Sequence, residues 1–333
     1  MAFSSEDARA KKATSNEEIV ALLLEDMKGE HAAIIQYLQH AYKIGEAGGE
    51  IPSEIEGIAR DEMRHFRWLG ELVAELGGEP NMQRDPIFLD SPSTNDLLSL
   101  DVDAEQRAID QYRDHIAAID HPKVTLYLNR ILMDELFHQG KFKDFVEEMG
   151  GNQAKEAASN DTGPWNKNPN PLSKDLELNS AGQVVAADLE RKNRDDHPLV
   201  KMLNSRVQME YETILIYLHQ AFISRNPTQR DHLISDRAVW HMTHMGTLGE
   251  AVAELETRPE MELDFSSAFL SKVPVEPEEF NNWAIGREKS LLENTENLLE
   301  ETGDIDEGLT NELKRLEGHN RFQVEQFKIE KNN

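Results

Sequence analysis

The sequence predicts an all-α protein made of two tandem four-helix bundles, each with one long crossover connection. Apolar residues recur at alternating spacings of three and four over eight long segments, which is the pattern of amphipathic helices. The second four segments repeat the first four. In each half, a proline-containing stretch of about two dozen residues separates the second helix from the third, and it is long enough to run the length of a bundle.

The repeat is clearest in the first helix of each half. There, IVALLLEDMKGEHAAIIQYLQHAY at 19–42 aligns without gaps on LVKMLNSRVQMEYETILIYLHQAF at 199–222. The eight predicted helices lie near 16–45, 53–77, 95–120 and 122–149, and near 197–225, 229–256, 278–302 and 306–330. A stretch rich in Gly, Asn, Pro and Ser between the halves predicts a linker at 151–196, which separates a first domain at 1–150 from a second at 197–333.

The composition of the chain argues against several classes of function. The 333-residue chain has a formal net charge of −28, which argues against binding to nucleic acid or to an anionic membrane surface. It has no cysteine, and therefore no disulfides, thiolate metal sites or cysteine nucleophiles. Because there is no long apolar run and the N-terminus is polar, we expect a cytoplasmic protein without a membrane partner.

Each helix of the first repeat carries a carboxylate in the middle of its apolar seam. These interruptions are Glu30, the pair Glu62 and His65, then Glu105, and the pair Glu135 and His138. Four carboxylates facing one interior would repel one another unless they were protonated or bridged by metal. Two divalent cations would neutralise them, and the two imidazoles would complete a ligand set typical of iron or manganese bundles, with zinc as a further candidate.

Taken singly, these residues have ordinary explanations. A lone Glu30 is typical of an exposed helix position, and His138 of a hydrogen-bonded core histidine. Six residues at matching seam positions on four helices favour the metal site instead. Asp61 and Asp134 precede the two Glu-x-x-His pairs, and we expect them to orient the histidines.

The motifs of the first repeat resemble the ferritin-like superfamily, and within it bacterioferritin most of all. The resemblance is carried by EHAAIIQYLQHA at 30–41, DEMRH at 61–65, GGEPNMQ at 77–83 and DELFH at 134–138. It implies that the six residues above bind two iron ions, or manganese or a mixed pair, and oxidise Fe(II) with dioxygen or hydrogen peroxide. Tyr37 corresponds to the family's first-helix tyrosine, as a hydrogen-bond partner or electron donor, although a purely structural role fits equally. The resemblance also implies haem bound by a methionine at the position of Met63.

The second repeat departs from this pattern. It offers Glu210, His241, His244 and Glu288, whereas Asn320 and Gln323 stand where the first repeat has Glu135 and His138. Two carboxylates neutralise one divalent ion at most, so we expect weak binding of one ion or none. Met242 aligns with Met63, and the two are candidate haem ligands, although ordinary packing methionines are the commoner case.

Two alternatives to a ferroxidase-like or peroxide-consuming function stay open at the sequence level. One is a di-metal oxygenase or oxidase that acts on an organic substrate. The other is a non-catalytic metal-binding protein. A peroxidase would need an external electron donor, because the chain has no cysteine-ligated electron-transfer domain. Metal identity, haem content and homo-oligomerisation are not decided by the sequence.

Overall fold

A computed structural model describes residues 13–91, 93–159, 195–265, 270–302 and 307–332. These residues are helical or irregular apart from an isolated bridge between Ala13 and Ile119, so the predicted all-α class is confirmed. They divide into two compact units, one within Met1–His40 and Ser53–Lys155 and the other within Ala41–Pro52 and Glu156–Asn333. Most of the predicted linker lies outside the described residues.

The first four α-helices begin close to their predicted positions. They are α1 (Asn16–Ile44), α2 (Ile51–Glu75), α3 (Thr94–Ala118) and α4 (Pro122–Ser159), with a short 3₁₀ turn at Gly45–Gly48 after α1. The fourth helix continues beyond its predicted end at 149 into the stretch predicted as linker. The residues QAKEAA at 153–158 are good helix formers, which explains the extension.

The second half has the same order of helices with one interruption. Its elements are α5 (Pro198–Ile223), α6 (Pro227–His232), a π-helical segment (Leu233–Ala238), α7 (Val239–Glu254), α8 (Pro277–Thr302) and α9 (Glu307–Asn332). The single helix predicted near 229–256 is thus broken by a π segment. The side-chain amide of Gln323 donates a 2.8 Å hydrogen bond to the carbonyl of Asp236 within that segment.

A crossover connects α2 to α3 and runs the length of α1. Its contacts progress from one end of that helix to the other: Asn16 with Leu76, Lys28 with Asp85, and His40 with Phe88. The connection from α7 to α8 follows α5 in the same way, through Asn204 with Arg258 and Gln220 with Val275. Each bundle therefore has the long crossover that the sequence predicts.

The end of α2 shows why the turn sequence GGEP recurs only in part. Gly77 has a φ of 85°, a left-handed conformation that glycine adopts without strain. At the corresponding position after α7, Glu256 adopts a φ of 58°, and its amide bonds to Ala253 as that of Gly77 does to Ala74. The turn is kept although the glycine is replaced.

Among the described residues, no helix is long and apolar enough to cross a membrane.

Candidate metal centre

The structure brings together the six residues that the sequence singles out in the first repeat. None of them is more than 4% exposed. Their side chains form two overlapping groups in which the potential ligand atoms lie within 4.8 Å of one another: Glu30, Glu62, His65 and Glu135 in one, and Glu62, Glu105, Glu135 and His138 in the other. Two glutamates, one from α2 and one from α4, belong to both groups.

The inner nitrogens of the two histidines point at these shared carboxylates. Nδ1 of His65 lies 2.7 Å from Glu62 and 3.1 Å from Glu135. Nδ1 of His138 lies 2.9 Å from Oε1 of Glu62, yet neither atom has a hydrogen bond within the part of the chain that the structure describes. One oxygen of Glu105 and one of Glu135 lack hydrogen bonds in the same sense. Buried polar atoms are rarely left so, and these converge as ligands of a metal do.

An aspartate lies next to the outer nitrogen of each histidine, and each aspartate comes from the helix that carries the other histidine. Asp134 on α4 lies 3.3 Å from Nε2 of His65 on α2, and Asp61 on α2 lies 3.4 Å from Nε2 of His138 on α4. Arg64 lies beside both aspartates, 2.8 Å from Asp61 and 3.5 Å from Asp134. A carboxylate on the outer nitrogen fixes the ring so that the inner nitrogen faces the centre.

Two tyrosines hold the remaining glutamates. Tyr37 on α1 donates a 2.7 Å hydrogen bond to Glu105 on α3. Tyr112 on α3 donates to Glu30 on α1. The sequence predicts Tyr37 as a candidate catalytic residue, a hydrogen-bond partner or electron donor, and does not single out Tyr112. The signal that could have identified it is spacing, because each tyrosine follows a glutamate of its own helix by seven residues.

Burial and mutual repulsion set the charge of the metal-free centre. Burial, followed by repulsion from Glu135, raises the pKa of both Glu30 and Glu105 well above the usual range. Burial alone would also raise the pKa of Glu62, but His138 and His65 outweigh it and lower that pKa to about 2. In the metal-free protein, protons on the imidazoles and carboxyls thus balance the buried negative charge. Bound divalent cations would take the place of these protons.

The nearby carboxylates raise the pKa of His138, whereas the histidines lower the pKa of Glu62. Burial would lower the pKa of His138, but Glu62 and Glu135 outweigh it and raise that pKa to about 10.

The second half gathers a smaller cluster at the corresponding positions. Glu210, His241 and His244 offer ligand atoms within 4.8 Å of one another, and all three are buried. His241 lies between the two carboxylates, bonding to Glu210 through Nδ1 and to Glu288 through Nε2 at 3.0 Å. Burial would lower the pKa of His241, but these two carboxylates raise it to about 9. A protonated imidazole therefore neutralises part of the cluster.

A buried arginine supplies the remaining charge, and the sequence interpretation missed it. Arg206 is fully buried and donates to Glu210 at 2.7 Å, to Asn320 at 3.0 Å and to the carbonyl of Leu291 at 2.8 Å. In the gapless alignment of α1 with α5, Arg206 stands opposite Asp26. This reversal of charge, one turn before the ligand position, is the signal in the sequence that distinguishes the two clusters.

The altered positions of α9 have structural partners. Asn320 donates to Glu288 at 3.1 Å, and Gln323 bonds to the π segment described above. His319 takes the place of Asp134 and lies 2.9 Å from Nε2 of His244. Arg206 and Asn320 thus link the two carboxylates of the cluster, Glu210 and Glu288, through side-chain hydrogen bonds. The candidate haem ligands Met63 and Met242 are both partly exposed, and haem binding stays a prediction.

Comparisons with known proteins agree with this geometry for the first half. The family model of the ferritin-like domain matches residues 20–150. The bacterioferritin of Desulfovibrio desulfuricans is 31% identical over 113 residues, which cover 34% of this chain and 59% of that protein. The chain thus spans less than two thirds of this relative's length. No solved structure matches the sequence significantly. The resemblance inferred from the motifs is confirmed: residues 20–150 form a ferritin-like domain.

Proposed function

We propose that the first bundle binds two iron ions and oxidises Fe(II) with dioxygen or hydrogen peroxide. The observation that carries this proposal is the pair of overlapping ligand groups that share Glu62 and Glu135. A single metal held by either group would leave one glutamate and one histidine of the six unused. Two ions would use all six residues, and the four glutamates would neutralise them.

The donor chemistry fits iron. Four carboxylates and two imidazoles are ligands that suit iron and manganese, and the chain has no thiolate that would favour softer ions. Glu30 would hold one ion together with His65, and Glu105 the other together with His138. When bound, such a pair of ions supplies the electron transfer to dioxygen or peroxide. A peroxidase reaction would in addition need an external electron donor.

The protein's own residues position and isolate this centre. Tyr37 and Tyr112 fix the carboxylates of Glu105 and Glu30 through hydrogen bonds across the bundle, so that these ligands are preorganised. Asp61 and Asp134 hold the imidazoles. Because the six ligands are buried, the charges interact in a medium of low dielectric constant and bulk water is excluded.

The test is stopped-flow absorbance of Fe(II) oxidation, with and without the metal-free protein at equal iron and oxygen concentrations. We expect the protein to oxidise Fe(II) faster than buffer does. His138→Ala should lose the acceleration, whereas Gln323→Ala, at the corresponding position of the second bundle, should keep it. Equal rates for wild type and buffer would overturn the proposal and leave a non-catalytic metal-binding protein.

A further inference from the structure

Helices α1 and α3 carry the same polar residues at the same spacing. On α1 these are Asp26, Glu30, Gln36, Tyr37 and His40, and on α3 they are Asp101, Glu105, Gln111, Tyr112 and His115. Each member on α3 lies 75 residues after its counterpart on α1. The glutamates and tyrosines belong to the metal centre. The other six residues have no role in the proposed function.

These six residues form two networks, one on each side of the centre. In the first, which we call the Asp101 network, His40 and Gln36 on α1 bond to Asp101 on α3 at 2.8 Å each. In the second, the Asp26 network, Gln111 on α3 bonds to Asp26 on α1 at 2.8 Å, and Nδ1 of His115 lies 2.8 Å from the same carboxylate. Both aspartates are at most 1% exposed.

The crossover supplies the remaining hydrogen-bond partners of the Asp101 network. Nε2 of His40 lies 2.9 Å from the carbonyl of Phe88, and Gln36 accepts a hydrogen bond from the amide of Phe88. Both oxygens of Asp101 lie within 2.9 Å of Nδ1 of His40. Every polar atom named here therefore has a protein partner, and the imidazole ends on backbone instead of reaching solvent.

The Asp26 network extends from a buried carboxylate to an exposed one. Nε2 of His115 lies 3.8 Å from the carboxylate of Glu25, whose side chain is 62% exposed. Nδ1 of His115 is near Asp26 but out of alignment for a hydrogen bond, and Oδ2 of Asp26 has no hydrogen-bond partner within the described part of the chain. The ring thus stands between an exposed carboxylate and a buried one that has a free acceptor atom.

We propose that the Asp26 network is the pathway by which protons pass between the buried metal centre and solvent, and that the Asp101 network is its closed structural counterpart. This inference rests on the proposed metal centre. Asp26 lies one helical turn from Glu30 on α1, and His115 lies three residues from Tyr112 on α3, so this network occupies the helical turn next to the Tyr112–Glu30 bond.

The geometry favours protons over metal ions as the species that passes. The two carboxylates lie on opposite nitrogens of one imidazole, so no single ion can bind all three groups. A proton instead joins the ring at one nitrogen while another leaves from the second, so one N–H bond forms as one breaks and the charge balances. The groups that face His115 are Glu25 and Asp26 on α1 and Asp114 on α3, all of which favour its protonated form.

Metal binding itself provides the protons to follow. Ligands must lose their protons when a metal binds, so binding of a redox-inert ion to the metal-free protein releases protons without any oxidation. The experiment is to mix the full-length metal-free protein with Zn²⁺ in a weakly buffered solution near pH 7. Stopped-flow absorbance of a pH indicator gives the rate of proton release and the number of protons released.

We expect His115→Gln and Asp26→Asn to slow proton release by about tenfold or more. The matched variants His40→Gln and Asp101→Asn should release protons at the wild-type rate. The number of protons released at equilibrium should be the same in all four. Glu25→Gln changes an exposed side chain, so we expect the fold to stay intact, and it should slow release to a smaller extent. Added imidazole should restore the rate in His115→Ala.

Two results would overturn the pathway. One is an unchanged rate in both His115→Gln and Glu25→Gln, and the other is equal slowing by His115→Gln and His40→Gln. Failure of the metal centre itself gives a different result, because a wild-type protein that binds no Zn²⁺ would release no protons in the first place.

Discussion

The two bundles neutralise buried carboxylates in different ways at the same helix positions. In the first, four glutamates surround a space suited to metal ions, and the position one turn before Glu30 carries Asp26. In the second, two glutamates remain, and the corresponding position carries Arg206, which bonds to Glu210. A buried carboxylate needs a positive partner, and that partner is either an ion from solution or a side chain of the protein.

The two bundles differ in more than the candidate ligands, because residues around the glutamates differ as well. Tyr112, which donates to Glu30, has a threonine, Thr295, at its corresponding position in α8. The guanidinium of Arg206 donates to the equivalent oxygen of Glu210 instead. The small threonine and the long arginine therefore replace the large tyrosine and the short aspartate together. We therefore expect metal content to depend on this set of residues as well as on the ligands themselves.

The strongest test of the difference is removal of the shared glutamates. Glu62→Ala with Glu135→Ala should lower the metal content from about two ions per chain to nearly none, because both ions lose their common ligands. His241→Ala with Asn320→Ala, the same positions of the second bundle, should leave the content unchanged. Elemental analysis of protein purified with iron gives the count. Two ions retained in the first double variant would show that Glu62 and Glu135 are not needed to hold them.

A second test removes the internal cation. Arg206→Met should destabilise the protein by about 3–5 kcal/mol, because the buried charge of Glu210 loses one of its two cationic partners. Added Zn²⁺ should recover much of this loss by binding Glu210, His241 and His244. Urea unfolding with and without Zn²⁺ measures both effects. Arg237→Met is the control, since Arg237 is also buried but pairs with Glu330, and Zn²⁺ should not rescue it.

A smaller effect is expected from pH. Burial would lower the pKa of His241, but Glu288 and Glu210 raise it to about 9. The protonated ring therefore stabilises the fold fully below its unfolded pKa of about 6.5, and this contribution, about 3 kcal/mol at most, is lost as the pH rises through about 9. Urea unfolding between pH 6 and pH 10 should show the loss in wild type and a flatter profile in His241→Asn.

The pH measurement needs the first bundle loaded with metal. His138 has a pKa raised to about 10 in the metal-free protein and would add its own pH dependence. A bound metal takes the place of its proton. If the profiles of the wild type and His241→Asn run parallel under these conditions, then His241 is not the cation that neutralises Glu210 and Glu288.

The sequence was sufficient to predict the helices and the six residues of the first cluster. Helical periodicity gives the buried face directly, and a carboxylate on that face stands out because its burial is costly. Periodicity could not show which donors reach across the bundle. The bonds of Tyr112 and Arg206 depend on side-chain length and on what the facing helix leaves open, and both follow from packing in three dimensions. The π segment before Val239 likewise depends on a partner, Gln323, that is distant in sequence.

The bond from Gln323 to Asp236 has a consequence for any attempt to build a dinuclear centre into the second bundle by design. A histidine at 323 would supply a ligand type to α9, but it would also remove the donor that satisfies a carbonyl of the π segment. A glutamate at 320 would lie next to Arg206, whose guanidinium would pair with the new carboxylate and compete with a metal for it. Engineering metal binding into this bundle therefore requires changes at Arg206 and in the π segment as well as at the ligand positions.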